Sequence, residues 1–266
     1  MPDGSCVNHS CNWYFMKIRY AFAFAVASAF FVSGCDRSDS VKAESPLPVY
    51  LLLGQSNMVG MRSVAAELPE DLKKPNENAI IFKDGKWVQV SPSSFEVKGF
   101  GPEVSFAHEV AKKEKIGIIK VSAGDTKLAE EWNSDPKGVL YQKTLAEISA
   151  AERTRNISIK GVMWMQGESD GGNANYAEAY KSNLEKFISN IKKETGNANL
   201  KFSVCRVTSP ESMFKYTSVV RHAQENVKAE GYKWFDCDGL SKGPDNLHYD
   251  TKGIVKLGEL FSQSIN

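Results

Sequence analysis

The segment Val49-Tyr50-Leu51-Leu52-Leu53-Gly54-Gln55-Ser56-Asn57-Met58 reads as a short apolar strand that stops at Gly54 and turns sharply into the start of a helix. Four more apolar runs of strand length follow, at Ile116–Val121, Ile159–Met165, Phe202–Val207 and Lys233–Cys237. Between and after them lie stretches of helical period, at Pro102–Lys113, Val139–Arg153, Asn175–Glu194, Ser218–Glu230 and Thr251–Ser264. Short apolar strands alternating with amphipathic helices predict a parallel sheet, because parallel neighbours need a long crossover and the crossovers place helices on both faces. The expected fold is therefore α/β: a three-layer α/β/α sandwich around a five-stranded parallel sheet. Asp84-Gly85, inside the apolar stretch Ile80–Val90, signals an additional hairpin.

Upstream of this segment the chain changes character. From Met16 it reads Met-Lys-Ile-Arg-Tyr, then an apolar run from Ala21 to Val32, then Val32-Ser33-Gly34-Cys35. A positive start, a short apolar stretch and small residues at its end describe a secretory signal, too short to span a bilayer as a stop-transfer helix. The last four residues resemble a bacterial lipoprotein cleavage box, whose cysteine receives lipid; a plain signal peptide with an unrelated Cys35 is the alternative. The expected organisation is a leader over 1–35 with Met16 as its start, a polar tether over 36–46, and one domain over 47–266. The implied location is outside the cytoplasm, anchored at Cys35 and facing the periplasm or the cell exterior. Asp36 resembles an inner-membrane retention signal, and the choice between inner and outer membrane stays open.

Composition narrows the function classes. The 266 residues are 24% charged and 42% hydrophobic with net charge +1. Residues 1–34 carry Asp3, Lys17 and Arg19, so the remainder is neutral and has no electrostatic footprint for nucleic acid. Contact with a membrane is expected only through lipid on Cys35, and no oligomeric state is legible. Cys6, Cys11 and Cys35 lie in or at the edge of the leader, leaving Cys205 and Cys237 near the ends of two neighbouring strands. An oxidising compartment permits a bridge between them, and two buried free thiols fit equally well. Neither has zinc-ligand spacing, and no cofactor is implied.

Open α/β sheets hold ligands beyond the carboxyl ends of their strands. The residues that follow the strands here are Gly54-Gln55-Ser56-Asn57-Met58, Ser122-Ala123-Gly124-Asp125-Thr126, Gln166-Gly167-Glu168-Ser169-Asp170, Arg206, and the pair Asp245 and His248. Nearly every reactive side chain thus falls on one edge. Ser56 stands at the strand-to-helix turn, where it suits a nucleophile or a simple N-cap. The nucleophile elbow Gly-x-Ser-x-Gly is not met, because its fifth position is Met58. A serine hydroxyl needs a base. His9 belongs to the leader, and His108 and His222 read as solvated helix residues, so the base is His248 in its loop before the last helix. Asp245, three residues earlier, can accept from Nδ1–H and leave Nε2 for the serine proton.

Taken together, Gly54-Gln55-Ser56-Asn57-Met58, Gly101-Pro102-Glu103, Gly124-Asp125-Thr126 with Trp132, Trp164-Met165-Gln166-Gly167-Glu168-Ser169-Asp170 and Asp245-x-x-His248 resemble the SGNH hydrolase superfamily. Within it they look like the sialate O-acetylesterase and acetylxylan esterase branch, carbohydrate esterase family six. That resemblance implies a flavodoxin-like fold, no metal, and hydrolysis of O-acetyl esters on carbohydrates through an acyl-serine. It implies an oxyanion hole made by the backbone N–H groups of Ser56 and Gly124 and a side-chain amide, here Gln166. Asp125 stands where many members of the branch have a second glycine. Asp245 is the superfamily's usual third catalytic residue, and Glu168 is a rival in this branch.

Other residues carry weaker expectations. Gln55, Asn57, Arg206 and Trp132 are candidate substrate contacts. Trp132 and Trp164 suit either a sugar-stacking surface or the core, and Arg206 either a substrate or a structural ion pair. Tyr249 is a candidate pocket wall. Competing functions are a lipase or thioesterase acting on longer acyl groups, and a carbohydrate-binding protein without catalysis.

Overall fold

A computed structural model describes residues 45–94 and 99–265. The expected leader, its lipid-receiving Cys35 and nearly all of the tether lie outside the described residues. The described residues open with strand β1, Leu47–Gly54, followed by a single helical turn, α1, Ser56–Val59. Next come β2, Asn76–Lys83, and β3, Lys86–Val90, then α2, Glu103–Val110, and β4, Ile116–Ser122. The second half holds α3, Val139–Thr154; β5, Ile157–Met165; α4, Ala174–Glu194; β6, Lys201–Cys205; α5, Thr217–Glu225; β7, Tyr232–Phe235; and α6, Thr251–Ile265.

The sheet has seven strands in the order β3-β2-β4-β1-β5-β6-β7, which corrects the expected five. The five expected strands are present and parallel, and among themselves they follow the flavodoxin-like order 2-1-3-4-5. The two extra strands are the hairpin signalled by Asp84-Gly85, whose residues both have positive φ (51° and 76°) as its tight turn requires. It joins the sheet because Ala79–Phe82 pair in parallel with Ile116–Ile119, burying Ile81 and Phe82.

Side chains of β1 alternate between two apolar clusters, as the two-residue period of a strand dictates. Val49, Leu51 and Leu53 pack with Tyr141, Leu184 and Phe187 under α3, α4 and α5. Tyr50 and Leu52 pack with Phe106, Leu257 and Phe261 under α2 and α6. A strand apolar on both faces can only be central in a sheet covered twice, so this alternation explains the three layers. Local signals set the ends of the helices around the site. Asn173 caps α4 by accepting from the N–H groups of Asn175 and Tyr176, and Asp250 accepts from Gly253 N–H at the start of α6.

Cys205, at the end of β6, and Cys237, just after β7, are joined by a disulfide, which settles the alternative left open by sequence. It ties the central sheet to the base of the loop that carries Asp245 and His248.

Candidate active site

β4, β1 and β5 are adjacent, so the three loops that leave their carboxyl ends lie side by side, with β1 and β5 flanking the point where strand order reverses. Gly54 makes the turn after β1 feasible: a Cβ there would stand 2.0 Å from the Met165 carbonyl oxygen of β5. The chain therefore passes β5 at van der Waals contact and presents Ser56 at the first position of α1. Because α1 is one turn long, its macrodipole is small, but its first N–H groups still have no carbonyl a turn earlier to bond.

Ser56, Gly124 and His248 line one open pocket of about 380 Å³. His248 comes from the far end of the chain and is held by its own loop. Gly243 N–H donates to the His248 carbonyl at 2.8 Å, and Asn246 takes a left-handed φ of 52° to close the turn. Asp245 then holds the imidazole: one carboxylate oxygen lies 3.0 Å from His248 Nδ1, and the other accepts from the N–H groups of Leu247 and His248 at 3.1 and 2.9 Å. Arg62 Nε adds a 2.8 Å hydrogen bond from outside. Partial burial alone would raise the Asp245 carboxyl. The His248 backbone N–H, the His248 ring, the Leu247 N–H and Arg62 outweigh it and hold the group below the usual carboxylate range. With Nδ1 engaged, Nε2 is the ring nitrogen left for proton transfer.

Glu168 has a different setting. It is fully buried and accepts at 3.1 Å from Asn57 Nδ2. Burial pushes its carboxyl up, against the hydrogen bonds from its own backbone and from Asn57 and the attraction of His248. The geometry thus pairs the ring with Asp245, and Glu168 with Asn57. Asn57 in turn accepts from Tyr249 N–H at 2.9 Å, so it stitches the histidine loop to the serine turn.

Several expected contacts are corrected. Asn57 is buried by these bonds and lies behind the pocket. Gln166 is wholly buried, and its Nε2 donates to Asp170 at 2.6 Å and to the Thr126 carbonyl at 2.8 Å, so it is not a free oxyanion donor. Trp132 and Trp164 are core: the indole N–H groups find Thr126 and Tyr180 inside, and the rings meet edge-on at 5.2 Å. Arg206 is engaged by Glu225, Asp236 and Asp238 and lies over the Trp234 ring, so it is structural. Tyr249 is buried, its hydroxyl 3.0 Å from Thr208 Oγ1. Gln55 does line the pocket, although its amide also contacts its neighbours: 3.4 Å to Ser169 Oγ, or, turned over, 3.1 Å to Glu168 Oε2. His108 and His222 sit on helices α2 and α5 as expected, beside Asp71 and Asn226.

The pocket's apolar walls went unread. Met61, Phe214 and Leu247 form them, and Phe214 sits in a loop without any sequence signal. Arg62 as the partner of Asp245 also left no local pattern. Asp170 was visible only as the end of its block; it accepts from Leu128 and Ala129 N–H and ties the β4 loop to the β5 loop. Burial raises its carboxyl to about 6, against the hydrogen bonds from Gln166, Leu128 and Ala129. Among the described residues no group of three or more His, Cys, Asp or Glu is arranged to hold a metal ion.

Comparison with known proteins now adds to this geometry. A family model described as carbohydrate esterase, sialic acid-specific acetylesterase, matches residues 46–266. A probable carbohydrate esterase of Arabidopsis thaliana is 27% identical over 252 residues, covering 85% of this chain and 94% of the plant protein. The solved structure of that plant protein superposes with a TM-score of 0.73 at 26% identity, over 83% of this chain and 98% of that one. A carbohydrate acetylesterase from Xanthomonas citri shares the fold with a TM-score of 0.60 at 17% identity, over 81% of this chain and 55% of its own. NanS does so with a TM-score of 0.61 at 16% identity, over 83% and 97%. The chain belongs to the sialic acid-specific acetylesterase family of carbohydrate esterases.

Proposed function

From that membership we propose that the chain is a serine esterase that removes O-acetyl groups from carbohydrates, of the sialate or xylan type, through an acetyl-serine intermediate. The observation that carries the reading is the convergence of Ser56, Gly124 and the Asp245-anchored His248 on one pocket. Ser56 Oγ attacks the acetyl carbonyl carbon as its proton passes to His248 Nε2, while Asp245 holds Nδ1–H and stabilises the imidazolium. The backbone N–H groups of Ser56 and Gly124 receive the oxyanion, each donor being worth about 2.7–4 kcal/mol in the transition state. Gly124 suits this part because its N–H takes no backbone carbonyl of the loop. Collapse breaks the ester C–O bond, and the sugar oxygen leaves with the proton from His248. Water, deprotonated by His248, then attacks the acetyl carbon; the Ser56 Oγ–C bond breaks as His248 returns the proton to Oγ, and acetate departs.

A serine-directed fluorophosphonate tests the chemistry. It should label Ser56 in the wild type and leave Ser56→Ala unlabelled; an unlabelled wild type points to the carbohydrate-binding alternative. Substrate class is read by acetate release from acetylated xylo-oligosaccharides and sialic acids. The apolar wall of Met61, Phe214 and Leu247 also suits a longer acyl chain, so faster cleavage of p-nitrophenyl octanoate than of the acetate would overturn the carbohydrate reading.

Export and lipid anchoring at Cys35 complete the proposal. The leader pattern supports them, as does the disulfide, which needs an oxidising compartment to persist. Mass analysis of the mature N-terminus should find a lipid-modified Cys35, and an unmodified chain retaining residues 1–34 would refute the anchor.

A further inference from the structure

Asp125 is the charged pocket residue that this chemistry leaves unused. It lines the pocket beside Ser56 and Gly124, it is exposed, and its Oδ1 accepts a 3.2 Å hydrogen bond from Ser169 Oγ. Its φ of 54° is left-handed, a conformation that aspartate tolerates but glycine adopts more readily. Among the described residues that line the pocket none is a lysine or an arginine. The cations nearby have other partners: Arg62 pairs with Asp245 at 2.8 Å, Lys242 donates to the Thr208 carbonyl at 2.6 Å, and Lys127, which also feels the charge of Asp125, pairs with Glu130 at 3.1 Å.

A carboxylate accepts hydrogen bonds from hydroxyl groups and has room for two at once, the pattern that neighbouring hydroxyls of a sugar ring supply. The same carboxylate repels a second one. Selectivity built this way combines an attraction to the right ligand with a penalty on the wrong one. We infer that Asp125 makes the site a charge filter, favouring O-acetylated sugars that are neutral over those that carry a carboxylate. The inference rests on the carbohydrate deacetylation proposed above, and within the family's sialic acid-specific description it points this chain toward neutral sugars. Phe214 and Met61 add an apolar wall that is indifferent to charge, so among the lining residues outside the proposed catalytic set Asp125 is the one that carries charge.

The test uses the full chain and two substrates that differ only in charge: an O-acetylated sialic acid and its C1 methyl ester, with acetate release as the readout and an O-acetylated xyloside as the neutral reference. The wild type should prefer the methyl ester in kcat/KM by roughly five- to tenfold at low ionic strength, the scale of one like-charge contact at about 4 Å fully screened by water, and the gap should narrow in salt. Asp125→Asn retains the tolerance for left-handed φ and should bring the ratio near one. Asp125→Gly should do the same, which separates charge from loop geometry. A wild-type ratio at or below one overturns the filter, as does a ratio that persists in both folded variants. If no sugar releases acetate while p-nitrophenyl acetate is cleaved, the carbohydrate reading falls and takes the filter with it. Deacetylation that favours the free acid sinks the filter alone.

Discussion

Asp245 and Glu168 both follow the strand ends of one sheet edge, yet one sits in a partly exposed loop and the other is fully buried. Asp245 is surrounded by donors, namely two backbone N–H groups, the His248 ring and Arg62, and they hold it ionised. Glu168 has Asn57 and its own backbone N–H in a buried setting, and burial pushes its carboxyl up. The contrast teaches that position on the pocket edge of the sheet does not assign a role; the donors around a carboxylate do. A permanently charged group can stabilise an imidazolium, whereas a buried one with few donors serves better as an anchor.

The largest test of this contrast is Asp245→Asn. It should lower kcat on an acetyl ester by roughly 10²–10⁴-fold, because the ring loses its tautomer and its countercharge. Circular dichroism should remain native, and near-full activity would identify Asp245 as the wrong acid.

The two regions also differ in how they are secured. The loop of Asp245 and His248 grows from Cys237, whose disulfide to Cys205 closes 32 residues. Replacing both cysteines by serine should cost about 3–4 kcal/mol on the loop-entropy scale, read from denaturant midpoints. An unchanged midpoint would show that packing alone holds the loop. The buried block depends instead on Asp170. Its carboxyl titrates at about 6 against an ordinary 3.8, so the folded state binds more protons between those values. Stability should therefore fall by about 2–3 kcal/mol as pH rises from 4 to 6, and level off above. Asp170→Asn starts from a lower stability, since an amide cannot accept from all three donors, but it should lack that slope. Equal slopes in both proteins would reassign the proton.

Much of this was legible before any coordinates. Residues 49–53, apolar at every position, predicted a strand of a sheet covered on both faces, and Asp84-Gly85 announced the hairpin. The miscounted sheet has a physical cause: a hairpin signal shows that two strands pair with each other, and nothing local shows which larger sheet their edge will join. The placement of Ser56, His248 and Asp245 on one edge was readable because a short spacing and a shared sheet edge bring them together. Gln166 and Asn57 were misplaced, and Arg206 and Trp132 stayed open between site and structure, for one reason. Sequence shows that a polar group lies near a strand end, but not whether a neighbour already takes up its hydrogen bonds. Phe214 was hidden because a loop without period carries no record of the wall it will form.

The smallest expected effect decides how Glu168 acts. If it works only through Asn57, the property that matters is an oxygen 3.1 Å from Asn57 Nδ2, and charge is incidental. Glu168→Gln keeps such an oxygen and removes the cost of burying a carboxylate. It should lose less than tenfold in kcat, which is about 1.4 kcal/mol or less, and should gain stability at pH 8 relative to the wild type. Asn57→Ala should be the more damaging change, because Asn57 also accepts from Tyr249 N–H and so fixes where His248 stands. A drop for Glu168→Gln as large as that for Asp245→Asn would mean that its negative charge acts on the imidazolium directly. The buried and exposed carboxylates would then share the work that the geometry divides between them.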